Sequence, residues 1–142
     1  MLKNSHVSLV IVLKEPSGRE VTKHLGISPT RILVPKPHPK IAVRSLWYLD
    51  SPQSEGNNSG ERLAALIDFI TPFSERLISL DSSYSRHISL IFQYTPECVD
   101  GRMWADPTGL VISAPNMSKL GAWNLYLTYE TISLPSFKVV ER

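Results

Sequence analysis

Residues 17–31, SGREVTKHLGISPTR, constrain the fold most, because they contain signals for both ends of one short helix. Ser17 and Glu20 have the spacing of a capping box, in which each side chain accepts a hydrogen bond from a backbone N–H of the first turn. Gly26 can take the positive φ that ends a helix, and Pro29 prevents its continuation. The stretch therefore predicts a short helix, a turn and a returning strand. The apolar residues on the buried face of this helix are Val21 and Leu25.

Composition predicts one globular domain. The chain has 142 residues, of which 42% are hydrophobic and 20% charged, enough for a single core. A net charge of +2 with 13 acidic residues is unlike the dense positive field of a dedicated nucleic-acid binder, so nucleic acid is an unlikely partner. We expect one α+β domain over residues 1–142, with a core at 7–129 and a C-terminal extension at 130–142.

The N-terminal apolar run covers only residues 7–13, whereas a membrane span needs roughly 20 apolar residues. A signal peptide needs a basic start, a longer apolar region and a small-residue cleavage site. Cys98 is the only cysteine, so no disulfide can form within the chain. These features predict a buried strand at 7–13 and a cytoplasmic protein that does not bind membranes.

The main helix is predicted at residues 58–80. Asn58 and Glu61 form a second capping-box-like pair, and apolar residues then recur at helical spacing. Thr71 and Pro72 interrupt this pattern, because proline removes an interior hydrogen bond, so we expect a kink or a restart there. We assign the apolar stripe to the core: Leu63, Leu66, Ile67, Ile70 and Leu77.

Runs of continuous or alternating apolar residues predict the strands. A brief helix is expected from Ser113 to a stop at Gly121. Helices of unequal length between strands predict an α+β fold in which helices pack on one face of a mainly antiparallel sheet. The layout is ferredoxin-like or a duplicated βαβ arrangement rather than a doubly wound sheet. Beyond the first strand, the predicted strands are 31–34, 41–49, 87–94, 109–113 and 122–129.

Four features in this order resemble a bacterial family known as domain of unknown function 4279. They are LGISPTR after the first strand, LWYLDSP, a long helix and a closing LGAWNLYL strand. The resemblance covers residues 7–129. In the family a glycine-containing polar loop precedes the tryptophan strand, whereas this chain has PKPHPK at 35–40. The resemblance implies no particular activity and transfers no catalytic residue.

The proline-rich loop at 35–40 is one candidate contact surface. Its three prolines favour an extended path that cannot join a central sheet ladder. Isolated cations in loops are usually just solvated, which favours a plain exposed loop. The alternative is a binding site for phosphate or for an acidic partner. The most basic local patch of the chain consists of Lys36, His38 and Lys40, with Arg31 and Arg44 at its borders.

The second candidate contact surface is the connection at 95–108, TPECVDGRMWADPT, which we expect to be irregular with a turn at residues 100–101. Large apolar residues on a loop either pin it to the core or wait for a partner. The candidate partner contacts here are Arg102, Met103 and Trp104.

The sequence contains no recognisable catalytic or cofactor-binding constellation. Its four histidines lack HxxxH spacing, and GxGxxG, GxxxxGK[ST] and GxSxG are all absent. We assign no catalytic residue, metal or cofactor, and expect a non-catalytic module that binds another protein, for instance as an immunity or antitoxin-like protein. The alternative is a small-ligand-binding protein or enzyme with a cleft between the sheet and the 95–108 loop. Weak RNA binding through the proline-rich loop is a third hypothesis.

Overall fold

The computed structural model describes the backbone of residues 2–52, 59–94, 97–99, 102–104 and 111–133, and the side chains of 6–52, 60–91 and 111–130. The helices are α1 (Arg19–Leu25), α2 (Ser59–Ile70), α3 (Ser74–Ser79) and α4 (Ala114–Ala122), with a 3₁₀ turn at Thr71–Phe73. The strands are β1 (Leu2–Val12), β2 (Arg31–Leu33), β3 (Leu46–Asp50), β4 (Arg86–Tyr94), β5 (Glu97–Val99), β6 (Arg102–Trp104) and β7 (Tyr126–Ser133).

Five strands form one sheet in the order β2-β3-β1-β4-β7. The neighbours β2 and β3, β3 and β1, and β1 and β4 are antiparallel, whereas β7 runs parallel to β4. Strand β3 lies between β1 and β2, and β1 lies between β3 and β4, so two βαβ units interleave in the ferredoxin-like manner. This confirms the predicted α+β class and mainly antiparallel sheet, and adds β7 as a parallel edge strand.

One apolar layer joins the helices to one face of the sheet. Val7, Leu9, Ile11 and Leu13 alternate along and just beyond β1 with residues of the opposite face, and all four are buried. Every helix contributes to the same cluster, so the prediction that helices pack on one face is confirmed. The stripe assigned to the core is buried throughout: Leu63, Leu66, Ile67, Ile70 and Leu77.

The predicted capping box at the start of α1 is wrong. Gly18 is the N-cap residue, with φ of 66°, and no side chain caps the helix. Ser17 Oγ accepts only from the N–H of Arg19, at 3.4 Å, while Glu20 bonds a distant tyrosine. Gly18 is buried against the core, and this leaves Ser17 one residue outside the cap position. The predicted end is confirmed, because Gly26 has φ of 71° and donates to the Thr22 carbonyl.

The predicted interruption of the main helix is confirmed as a restart. Helix α2 ends at Ile70, the 3₁₀ turn carries Pro72, and α3 then begins at Ser74. The Thr71 hydroxyl donates to the carbonyl of Ile67 at 2.8 Å rather than capping the new helix. The predicted cap residue Asn58 lies outside the described residues.

The predicted strand at 41–49 is shorter in the structure. Leu46 pairs with Leu33 of β2 and with Val12 of β1, and both neighbouring strands end at those residues. No ladder remains for residues 41–45. Ile41 therefore lies in an exposed connection instead of a strand.

Two boundaries near the C-terminus differ from the prediction. Helix α4 continues through Gly121 and ends at Ala122, with Trp123 as its C-cap residue. Asn124 follows with φ of 56°, so β7 starts only at Tyr126. Strand β7 then extends to Ser133, beyond the predicted limit at 129. Residues 111–113 are not a strand, and the rest of the predicted strand at 109–113 lies outside the described residues.

Candidate functional site

The connection between β2 and β3 presents exposed apolar side chains. Residues 34–45 belong to no helix or strand. Clusters of exposed large apolar residues on a folded chain mark interaction sites, whereas single ones are common. Four such residues, each between 46% and 63% exposed, lie on this short piece of chain: Leu33, Val34, Ile41 and Val43. We call residues 33–44 the β2–β3 surface.

Basic residues lie between and just after the two pairs of apolar residues. Lys36, His38, Lys40 and Arg44 are all exposed, in the loop where the sequence placed the basic patch. Within the described residues, none of Lys36, Lys40 and Arg44 has a carboxylate at ion-pair distance. The bond that shapes the loop runs from the Lys40 N–H to His38 Nδ1, at 3.1 Å. Among the described residues, no carboxylate therefore neutralises the positive charge of this surface.

Arg31, at the border of the basic patch, is held on the sheet. Its guanidinium lies 4.1 Å above the ring of Tyr48, and its Nε is 3.4 Å from Oδ2 of Asp50. The other Asp50 oxygen accepts from the Ser8 hydroxyl at 2.5 Å, and its backbone N–H donates to Thr30 Oγ1 at 2.9 Å. These contacts fasten β2 to β3 and β1, and so fix one end of the β2–β3 surface.

The second candidate surface is a hairpin, not the irregular connection that was predicted. Glu97 pairs with Trp104, Cys98 with Met103 and Val99 with Arg102, in a two-stranded sheet separate from the main one. Asp-Gly, the pair between the strands, is a strong hairpin signal that the prediction used only as a turn.

The residues of the hairpin turn and the side chains of Arg102, Met103 and Trp104 lie outside the described part. Their role as partner contacts remains a prediction. The two candidate surfaces lie on different connections of the fold, one between β2 and β3 and the other between β4 and α4.

A buried tyrosine network, which no local pattern indicates, joins the end of β1 to α1. The Tyr84 hydroxyl lies 3.2 Å from Oε2 of Glu15 and 3.1 Å from Oε2 of Glu20. Burial, reinforced by the two carboxylates, raises the pKa of Tyr84 to about 12. The phenol thus keeps its proton as a donor, and the network stabilises the fold.

The neighbouring lysine closes this network from outside. Lys14 Nζ lies 4.7 Å above the Tyr84 ring and 3.2 Å from Oδ2 of Asp81. The pKa of Asp81 is lowered to about 2, first by the Ser83 backbone N–H and then by the Lys14 ammonium. These groups are engaged with one another, so we assign them a structural role.

Two titratable side chains of β4 are withdrawn from water. Arg86 Nη1 donates to the carbonyls of Leu77 and Leu80, at 2.7 and 3.1 Å, and so covers the C-terminal end of α3. Desolvation lowers the pKa of Arg86 and also that of the half-buried His87. The His87 side chain lies on the face of the sheet that the helices do not cover. In the pairing of β4 with β7, His87 is the partner of Tyr126.

Sequence reasoning found the charged half of the β2–β3 surface and missed the apolar half. Ile41 and Val43 were assigned to a strand, because a run of β-branched residues resembles one. The prolines before Ile41 were the signal that residues 41–45 are not a strand. They limit β2 to three residues, so β3 has no β2 residue to pair with before Leu46.

In the described ranges, no three or more His, Cys, Asp or Glu side chains come together in a way that could hold a metal ion. The helices of that part of the chain are too short or too polar to cross a membrane.

Among known proteins, a family model matches the chain. Neither a curated protein nor a solved structure shows significant similarity to the chain. A family model described as Domain of unknown function (DUF4279) matches residues 3–132 of the 142, which includes the whole range on which the resemblance rested. The chain therefore belongs to the DUF4279 family.

Proposed function

We propose that this protein is a non-catalytic protein-binding module and that the β2–β3 surface is its contact surface. The observation that carries the proposal is the set of exposed aliphatic side chains between two adjacent strands, led by Val34 at 62% and Ile41 at 63% exposure. Burying apolar area in a partner contributes roughly 25 cal/mol per Å². A surface of this kind can therefore contribute binding energy without any chemical step.

The fold supports this surface by limiting its freedom. Three prolines, at 35, 37 and 39, restrict the backbone, and the contacts of Arg31 hold the preceding strand in place. A loop that is already restricted loses less conformational entropy on binding than a free one. Less of the favourable binding free energy is then lost in ordering the loop.

Charge indicates the type of partner. Lys36, Lys40 and Arg44 carry positive charge with no local counterion among the described residues. An acidic protein surface with an apolar centre would meet both the cations and the aliphatic side chains. Charges at an interface rim speed the encounter more than they strengthen the complex. We expect salt to slow association and to change dissociation little.

Immunity and antitoxin-like proteins are modules of this class, because they act by occupying another protein. We extend the proposal to that class, with the partner met in the bacterial cytoplasm.

The hairpin residues Arg102, Met103 and Trp104 are the proposed second contact region. Trp104→Ala should leave the domain folded and weaken the complex by about 2 kcal/mol or more, the usual hot-spot threshold. Unfolding of this variant would show that the loop is pinned to the core.

Photocrosslinking from position 43 in the native host, followed by affinity measurement with the purified partner, tests the contact surface. Ile41→Glu and Val43→Glu should each weaken the complex at least about 30-fold, the equivalent of about 2 kcal/mol. Ile78→Glu is the matched control, because Ile78 is 47% exposed on α3, outside both proposed contact regions. Circular dichroism should show all three variants folded. Equal affinity for Ile41→Glu, Val43→Glu and the control would exclude this surface.

A further inference from the structure

Strand β7 ends the main sheet with a long edge. It pairs with β4 on one side, and in the described part of the chain no strand pairs with its other side. Its eight residues, YLTYETIS, contain no proline and one charged residue, Glu130. Proteins usually block such an edge with prolines, charges, bulges or short strands, since an open backbone ladder accepts another strand.

Both faces of β7 are exposed along its described side chains. Tyr126 is 71% exposed on the face opposite the helices, while Leu127 and Tyr129 are 39% and 51% exposed on the helix face. Thr128 and Glu130 are exposed as well. Within the described part of the chain, the strand thus combines an unpaired backbone edge with large apolar side chains on both faces.

We propose that a second copy of this chain pairs antiparallel along β7, about a two-fold axis perpendicular to the sheet. The axis passes at Thr128, so that residues 126–130 of the two copies pair and the two five-stranded sheets become one continuous sheet of ten strands. Such an interface is isologous, because each copy contributes the same strand. It is separate from the β2–β3 surface, which lies beyond the other edge.

The side chains of β7 are complementary to themselves in this register. Leu127 of each copy lies opposite Tyr129 of the other on the helix face, and Tyr126 lies opposite Glu130 on the other face. Thr128 meets Thr128. Aromatic–aliphatic and Thr–Thr pairs of this kind stabilise a sheet. The only charge of the strand, Glu130, faces a tyrosine and never its own copy, which favours a second copy over an unrelated strand.

Sedimentation equilibrium of the full chain, from low micromolar to submillimolar concentration, tests the proposal. We expect a monomer–dimer equilibrium whose Kd rises at least tenfold in Leu127→Lys and in Thr128→Lys, since an added charge at an edge opposes pairing. Val111→Lys, the matched exposed control, should dimerise like the wild type. Two variants are used because Thr128 Oγ1 also donates to the Ile88 carbonyl at 3.3 Å. A chain that stays monomeric, or lysine variants that dimerise normally, would overturn the proposal.

Crosslinking tests the two-fold axis. In a Cys98→Ser background, which removes the only native cysteine, Thr128→Cys should give a crosslinked dimer with a short bismaleimide. Tyr126→Cys should not, because the two copies of that residue lie about 13 Å apart along the strands. Crosslinking at 126 and not at 128 would contradict the axis. If the chain stays monomeric and instead binds an unrelated strand peptide, the occupant of the β7 edge is another protein and the proposed dimer is wrong.

Discussion

The two edges of the sheet are built in opposite ways. Strand β2 has three residues between Pro29 and Pro35, and one of them, Arg31, is charged. Strand β7 has eight residues, one charge and no proline. Short length, prolines and charge protect an edge against strand addition, and β2 has all three. The β2 edge therefore offers side chains from the connection that follows it, while the β7 edge offers its backbone.

This difference separates two modes of recognition within one small domain. Side-chain docking on the β2–β3 surface depends on exposed aliphatic groups and nearby cations, so it can select a partner by shape and charge. Pairing along β7 depends on backbone hydrogen bonds, with side chains setting the register. Mutations on one edge should therefore affect only the mode of recognition that uses that edge. Mutations in the core, which supports both edges, should affect both modes.

The largest effect is expected from truncating that shared core. Leu66→Ala should lower the free energy of unfolding by 2 to 5 kcal/mol, because Leu66 is fully buried and the truncation leaves a cavity. Ile78→Ala is the control, because Ile78 is 47% exposed on α3 and should cost much less. Chemical denaturation measures both. A loss of stability below about 0.5 kcal/mol for Leu66→Ala would contradict its assignment to the core.

The β2 side depends on a glycine that no other residue can easily replace. Gly18→Ala should destabilise the fold by about 1 to 3 kcal/mol, because φ is 66° and a Cβ there would lie 3.1 Å from Ile32 Cδ1 of β2. Gly121→Ala, inside α4 with open space around it, should instead stabilise by about 0.5 to 1 kcal/mol. Thermal melting compares the two substitutions. Equal shifts would mean that Gly18 is not tightly packed.

A smaller effect should follow from releasing the β2 edge. Arg31→Ala removes the contacts with Tyr48 and Asp50, which are partly exposed, so the loss of stability should be at most about 1 kcal/mol. Arg44→Ala, a cation without an ion pair among the described residues, should be neutral. Urea denaturation at low and high salt distinguishes them, since only the Arg31 difference should shrink with salt. A salt-independent difference would point to packing instead of charge.

The weakest effect concerns pH on the β7 side. Burial lowers the pKa of His87 below its ordinary value of 6.5, so the unfolded chain binds the proton more readily than the folded one. Stability should therefore be unaffected above pH 6.5 and fall as the pH drops below it. His87→Gln should flatten this part of the curve. Identical pH profiles for wild type and His87→Gln would contradict the lowered pKa.

Sequence reasoning predicted the features that depend on a few neighbouring residues. The end of α1 at Gly26, the restart at Pro72 and the buried stripe of α2 follow from backbone freedom, a missing donor and helical spacing. The exposed proline loop with Lys36 and Lys40 was identified for the same reason, since proline excludes a central strand. These features need no knowledge of what packs against them.

Tertiary structure decided the features that depend on distant partners. Glu20 was predicted to cap α1, but it meets Tyr84, 64 residues away in sequence, and Gly18 takes the cap position. Strand β3 starts at Leu46 because its neighbours end there, which leaves Ile41 exposed on the β2–β3 surface. Tyr129 fits the alternation of a buried strand, yet it is half exposed because β7 lies at the edge of the sheet. A local pattern states which residues can share a face, and only the packing of the whole chain determines whether that face is covered.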